Sequence, residues 1–293
     1  MKGIILAGGL GTRLYPITKV ITKQLLLVYD KPLIYYPLSV LMLANIKEIL
    51  IITDKENLEK FKILLSDGSH IGIKIYYAIQ KEPRGIAESI IIAQDFIDDE
   101  FALILGDNII YGHGLPEILR TTKPPSIFLY YVNDPKRYGI AEIKNNKIVS
   151  IEEKPEKPRS NFAIIGLYYL DKFAIEVAKN LKPSRRNELE IVDVLKAYLI
   201  ENKLNYKILG RGFTFIDCGT FDSLVEASLF IWTIEKRQGL KIGCIEEVAY
   251  RMGYITKKEV IEIANNYKNS SYGDYLMKIA NEEVGGEVLK PKA

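Results

Sequence analysis

The sequence is poor in the residues that build zinc clusters and histidine-based catalytic triads: 293 residues include two histidines and two cysteines. Cys218 and Cys244 cannot form a disulfide framework, and with two histidines they do not readily supply a four-ligand zinc site. A reducing compartment is the expectation. An excess of one charge is also missing, since 40 Lys and Arg face 37 Asp and Glu for a net charge of +3. No basic block is present to follow a nucleic-acid backbone, so no nucleic-acid partner is expected. Long apolar runs are absent too. The longest, Leu33 to Ile46, contains Pro37 and Ser39 and falls short of the roughly 18 residues a membrane span needs. The apolar start Ile4-Ile5-Leu6-Ala7 breaks at Gly8-Gly9, too short for a signal peptide. These absences predict a cytoplasmic protein with no membrane association.

What is present is core material. Hydrophobic residues make up 48% of the chain, and at roughly 100 to 200 residues per domain the length predicts one large domain or two small ones. The first half alternates Ile- and Leu-rich runs with amphipathic segments, the pattern of βα units around a parallel sheet. Strands are predicted at 2–7, 48–53, 74–80 and 101–106, with helices at 32–45, 56–65 and 86–97 between them. After Pro124-Pro125 strands are predicted at 126–132, 140–143, 148–152 and 163–170, which implies a mixed sheet. Asn145-Asn146 is turn chemistry for a hairpin, because Asn tolerates positive φ. Helices at 172–181 and 189–201, strands at 205–209 and 213–217, and a helical remainder from Phe221 complete the reading. Only the tail from Gly285 to Ala293 reads as frayed.

Gly8-Gly9-Leu10-Gly11-Thr12-Arg13 follows the first strand, where an α/β sheet places its ligand. Glycines there either form a tight turn or let the backbone approach phosphate oxygens. A dinucleotide fingerprint fails because Leu14 stands where the third glycine belongs, and the chain contains no Walker Gly-Lys-Ser/Thr. Arg13 and Lys23, each individually compatible with a solvated surface, together would neutralise a leaving pyrophosphate.

From Gly11-Thr12-Arg13-Leu14-Tyr15-Pro16 through Lys23-Gln24, the segment resembles the signature of sugar-1-phosphate nucleotidylyltransferases. The similarity continues through Lys31-Pro32-Leu33-Ile34-Tyr35-Tyr36-Pro37, Gly106-Asp107-Asn108, Tyr138-Gly139, Glu152-Glu153-Lys154-Pro155, Asp217-Cys218-Gly219-Thr220 and Glu235-Lys236-Arg237-Gln238-Gly239. The resemblance implies a Rossmann-like three-layer α/β/α fold with a mixed central sheet and a helical C-terminal addition. A catalytic domain would occupy 1–221, with its sugar-binding part at about 109–210, and the addition 222–293.

It further implies attack by glucose 1-phosphate on the α-phosphorus of dTTP, assisted by Mg2+. On the matching positions, Leu6, Gly8, Gly9, Gly11, Thr12, Gln24, Gln80, Gly85 and Asn108 would bind nucleotide. Arg13, Lys23, Asp107 and Lys154 would be catalytic, Asp107 and Asp217 would hold the metal, and Tyr138, Gly139, Glu153 and Ile164 would take the sugar phosphate. Without the resemblance, each aspartate reads first as a cap or turn residue, and Glu152-Glu153-Lys154 is open to being a solvated charge run. A homotetramer is implied, with a regulatory nucleotide site to which Tyr111, Glu117, Arg211, Glu247 and Arg251 are matched. Apolar residues after Phe221, including Trp232, Ile234, Leu240, Ile245, Val248 and Tyr250, suit either subunit contact or internal packing. Arg186 to Glu190 open a helix, where the acids would complement its dipole as caps, with a sugar-side contact as the alternative and no catalytic role expected.

Three positions depart from the resembling pattern: Arg84 stands for an acidic residue, Glu88 for a glutamine and Leu27 for a proline. UTP therefore stays open beside dTTP, as does broad specificity. A non-catalytic sugar-nucleotide-binding subunit is the other alternative, opposed by the joint presence of Arg13, Lys23, Asp107 and Asp217.

Overall fold

The computed structural model describes residues 1–282. The tail expected to fray, from Gly285, lies outside the described residues. Strands are β1 (Lys2–Leu6), β2 (Leu27–Val28), β3 (Lys31–Pro32), β4 (Glu48–Thr53), β5 (Lys74–Ile79), β6 (Phe101–Leu105), β7 (Asn108–Gly112), β8 (Ser126–Tyr131), β9 (Gly139–Lys144), β10 (Lys147–Glu153), β11 (Phe162–Leu170), β12 (Asn205–Leu209) and β13 (Phe213–Asp217). Helices are α1 (Tyr35–Leu43), α2 (Leu58–Leu65), α3 (Ile86–Ile92), α4 (Leu115–Thr121), α5 (Phe173–Asn180), α6 (Ile191–Ile200), α7 (Phe221–Gln238), α8 (Ile245–Arg251), α9 (Lys257–Asn266) and α10 (Ser271–Asn281).

A nine-stranded sheet runs β10-β9-β11-β6-β1-β4-β5, with β8 joined to β11 and β12 to β8. The β6-β1-β4-β5 part is parallel, whereas β11 is antiparallel to β6, so the sheet is mixed as expected. Successive residues of the central strands enter different cores. Ile5 and Ile104 pack with α1, α2 and the C-terminal helices, whereas Ile4, Leu6 and Leu103 pack with α3, α5 and α6. Strands buried on both faces have no polar alternation, which is why β1 and β6 read as continuous apolar runs. The Asn145-Asn146 turn joins β9 to β10 with both residues at positive φ, 49° and 58°.

Four elements went unpredicted: β2, β3, β7 and α4. The segment after Asp107 forms β7, which pairs antiparallel with β13 outside the main sheet, and α4 follows it. The helix expected from Pro32 begins only at Tyr35, because Lys31 and Pro32 pair with Leu27 and Val28 in a small hairpin. Leu27 lies exposed in that hairpin. The C-terminal helices share the core of the sheet: Ile245, Ala249, Val260, Leu276 and Ile279 join Ile5 and Leu38 in one cluster. Ile245 is thus internal, whereas Trp232 remains partly exposed. Thr220 and Ser223 form a capping box that starts α7, and Gly239 ends it in the left-handed region. No described helix is long and apolar enough to cross a membrane.

Candidate active site

The glycine loop leaves β1 beyond Leu6, as the sequence predicts, at the carboxyl end of the parallel strands. Gly9 and Gly11 take positive φ, 123° and 58°, and a 3-10 turn then presents Thr12 and the exposed Arg13. Gly219 makes room for that guanidinium, since an added Cβ would lie 2.7 Å from Arg13 Nη2. The segment Asp217-Cys218-Gly219-Thr220 thus passes close to the Arg13 guanidinium, immediately before the start of α7.

Asp107 occupies the turn between β6 and β7, and Asp217 ends β13 in register with Asn108. The Cys218 N–H donates to the Asp107 carbonyl at 3.0 Å, tying the two segments together. Lys23 pairs directly with Asp107, whose other oxygen accepts from Asn108 Nδ2 at 2.9 Å. Asn108 is itself held by the Gly166 N–H at 2.9 Å, and only glycine fits there: a Cβ would lie 2.3 Å from Asn108 Oδ1. Burial, then the charge of Asp107, pushes the Asp217 carboxyl up, while Lys23, Arg13 and Arg137 pull it down. Two carboxylates thus share one small volume with cations around them. Burial also pushes the Cys218 thiol up, which keeps it protonated and removes it as a nucleophile.

A cavity of about 190 Å³ opens beside them, lined by Arg13, Asp107, Tyr138, Glu153, Lys154 and Asp217, with Gly139, Ile164 and Asn108 also on its wall. Lys154 sits at φ 42° where β10 ends, and its N–H donates to the Tyr138 carbonyl at 3.0 Å. That left-handed backbone is strained for a lysine, and it occurs at the cavity wall. Burial pushes the Glu153 carboxyl up, partly offset by Lys154. Burial and Asp217 together push the Tyr138 hydroxyl up.

At the other end Gln80 is buried, with its Oε1 against Gly8, where an added Cβ would lie 2.6 Å away. Gly85, at φ 104°, is pinned against Leu189, whose N–H donates to the Arg84 carbonyl at 2.7 Å. Gln24 is buried and accepts from Thr22 Oγ1 at 2.6 Å.

Two residues outside the predicted site stand in it. Arg137 lines the cavity, 4.0 Å from Asp217 Oδ2. Arg186 donates to Glu153 Oε1 at 3.2 Å and to Glu190 Oε2 at 2.7 Å. This corrects the capping expectation. Glu190 is the N-cap residue of α6 but makes no side-chain cap bond, because Arg186 and Ser184 hold its carboxylate. The Arg186-to-Glu190 spacing was a usable signal for that pair; its reach to Glu153 was not, since that contact is tertiary.

The residues matched to a regulatory site lie elsewhere. Tyr111, Glu117, Glu247 and Arg251 line a second cavity of about 520 Å³, with Lys241 and Gln238. Arg211 is exposed between β12 and β13 and does not line it. Buried Nε and Nη2 of Arg251 have no hydrogen-bond partner; the nearest carboxylates, Glu247 and Glu282, stand at 3.6 and 3.5 Å.

A sequence profile described as Nucleotidyl transferase matches residues 2–233. A glucose-1-phosphate thymidylyltransferase of Neisseria meningitidis is 50% identical over 285 residues, covering 95% of this chain and 99% of the relative. One from Mycolicibacterium smegmatis is 48% identical over 288 residues, covering 97% and 100%. Among solved structures, a candidate glucose-1-phosphate thymidylyltransferase from Bacillus anthracis in complex with sucrose aligns with a TM-score of 0.73 at 40% identity, over 78% of this chain and 94% of that one. A UDP-glucose pyrophosphorylase complexed with UDP-glucose aligns with a TM-score of 0.69 at 27% identity, over 80% and 98%. With the profile spanning most of its length and relatives aligned nearly end to end, the chain belongs to the nucleotidyl transferase family.

Proposed function

We infer that the chain transfers a thymidylyl group from dTTP to α-D-glucose 1-phosphate, giving dTDP-glucose and pyrophosphate, the entry to dTDP-deoxysugars such as dTDP-rhamnose. One observation carries this reading: a glycine loop, paired aspartates and a carboxylate–lysine sugar end meet around the same sheet edge. The attacking group is a phosphate oxygen already ionised at neutral pH, so no histidine base is needed. Lys154 holds that phosphate as a point charge, and Glu153, steadied by Arg186, accepts from sugar hydroxyls. Arg13 meets the departing pyrophosphate, and the glycine loop supplies backbone donors to the triphosphate. Alignment and charge neutralisation are what in-line phosphoryl chemistry asks of a protein.

The donor set fits magnesium. Asp107 and Asp217 offer only oxygen and line the same cavity. Two carboxylates leave positions for phosphate oxygens and water, the usual arrangement for that ion. Bound there, it would act as a Lewis acid toward the triphosphate. Incubating dTTP, glucose 1-phosphate and Mg2+ with the protein should produce dTDP-glucose, resolved by ion-pair chromatography; its absence would overturn the reading. The imide edge facing Gln80 is common to thymine and uracil, so UTP is the second donor to test.

The same reading assigns 1–221 to catalysis and 222–293 to an addition with a regulatory and oligomeric role, in a cytoplasmic homotetramer. Phe221, Val225, Leu229 and Trp232 form an exposed apolar stripe along α7, suited to a second subunit and readable by sedimentation at micromolar protein. Arg251, whose buried Nε and Nη2 make no hydrogen bond beyond loose ion pairs with Glu247 and Glu282, supports binding of an anionic end-product sugar nucleotide in the larger cavity.

A further inference from the structure

Glu88 has no part in that scheme, yet it is buried in the first turn of α3 beside the nucleotide end of the site. Its Oε2 accepts from Gln80 Nε2 at 2.8 Å and from the Arg84 backbone N–H at 3.2 Å. Its Oε1 accepts from Arg84 Nε at 2.8 Å, with Arg84 Nη2 at 2.6 Å. All of these neighbours are donors.

A glutamine amide has two unlike ends, and turning it over exchanges an acceptor for two donors. A carboxylate has no proton to give. Only the Nε2 end of Gln80 can therefore face Glu88, which sends Oε1 the other way, toward Gly8 and the nucleotide loop. Arg84 closes the far side of the carboxylate with further donors. The chain of polarity runs in one direction, from guanidinium to carboxylate to amide to base.

We propose that Glu88, anchored by Arg84, is a positioning residue that sets base specificity by locking the Gln80 amide with its oxygen toward the base. An acceptor there pairs with the N3–H of thymine or uracil and opposes the N3 lone pair of cytosine. The inference rests on the reading that Gln80 meets the base, and its test separates the two.

Glu88→Gln puts an amide where the carboxylate stood. The charged, closer guanidinium of Arg84, at 2.8 and 2.6 Å, attracts the new carbonyl more strongly than the Arg84 backbone N–H at 3.2 Å, so the new NH2 faces Gln80. The Gln80 amide then reverses and presents donors to the base. Combining Arg84→Glu with Glu88→Gln restores the original direction, because a carboxylate at position 84 accepts from the new NH2 and frees its carbonyl for Gln80.

The readout is kcat/KM for dTTP divided by kcat/KM for dCTP, measured with glucose 1-phosphate on each variant. This ratio is internal to a preparation, so a reduced folded fraction leaves it unaltered. Glu88→Gln should lower it about tenfold, the worth of one hydrogen bond, and the double variant should recover most of that loss. Glu88→Met, which removes the acceptor without adding a donor, serves as the second variant and should lower the ratio in the same direction. A purely structural role would depress both substrates together and would not be rescued by the double change. An unchanged ratio in Glu88→Gln and Glu88→Met, with a collapsed ratio in Gln80→Leu, would overturn the polarity lock and leave base reading by Gln80 standing. An unchanged ratio in Gln80→Leu would overturn both.

Discussion

The two cavities differ in how tightly their charges are hydrogen-bonded. Beside the smaller one, two carboxylates accept directly from cations, Asp107 from Lys23 and Glu153 from Arg186, while Arg13 stays exposed on its wall and Arg137 stands 4.0 Å from Asp217. In the larger one, Arg251 is ion-paired only loosely, 3.6 Å from Glu247 and 3.5 Å from Glu282, and its buried Nε and Nη2 make no hydrogen bond. Leaving a buried donor unpaired costs about 1–3 kcal/mol, more for a charged group. Internal pairing keeps reactive cations and carboxylates in place for chemistry. The Arg251 donors, near carboxylates yet short of a hydrogen bond, instead leave the second cavity with contacts to give to a ligand.

Experiments that break this contrast differ in size. Asp217→Ala removes one of the two facing carboxylates and should lower kcat by at least about 100-fold in pyrophosphate release, in the range of losing a key electrostatic contact, with the circular dichroism spectrum retained. Unaltered turnover would remove Asp217 from the site. Lys154→Ala should raise KM for glucose 1-phosphate by roughly tenfold or more, the worth of a charge-assisted bond, while KM for dTTP moves much less. Equal damage to both constants would place Lys154 on the wrong side of the cavity. Arg251→Ala should raise the concentration of dTDP-sugar needed for half inhibition by about tenfold, again one bond's worth. If wild-type inhibition proves purely competitive with dTTP, the second cavity is not its origin.

What the sequence disclosed follows from the range of the interactions involved. The Asn145-Asn146 turn, the glycine loop and Asp217 at a strand end are set by neighbouring residues, and each stands where it was expected. The strand β7 escaped because Gly106-Asp107-Asn108 reads as a loop and its partner, β13, comes much later in the chain. For a similar reason Arg186 to Glu190 read as helix-start chemistry with a sugar-side contact only as the alternative, and it is the fold that carries Arg186 to Glu153. Positions 84 and 88 were visible as departures from a resembling pattern. Their meaning became visible only once the donors around the Glu88 carboxylate were placed. The Arg251 donors left no trace in the sequence, since burial short of a hydrogen bond is a property of packing.

The most direct test of the account is kcat/KM for pyrophosphate release across dTTP, UTP, dCTP and dATP, each with glucose, galactose and N-acetylglucosamine 1-phosphates. The account predicts the highest value for dTTP with glucose 1-phosphate, measurable use of UTP, and dCTP well below both. Release that is absent with glucose 1-phosphate, or equal for dCTP and dTTP, would contradict it.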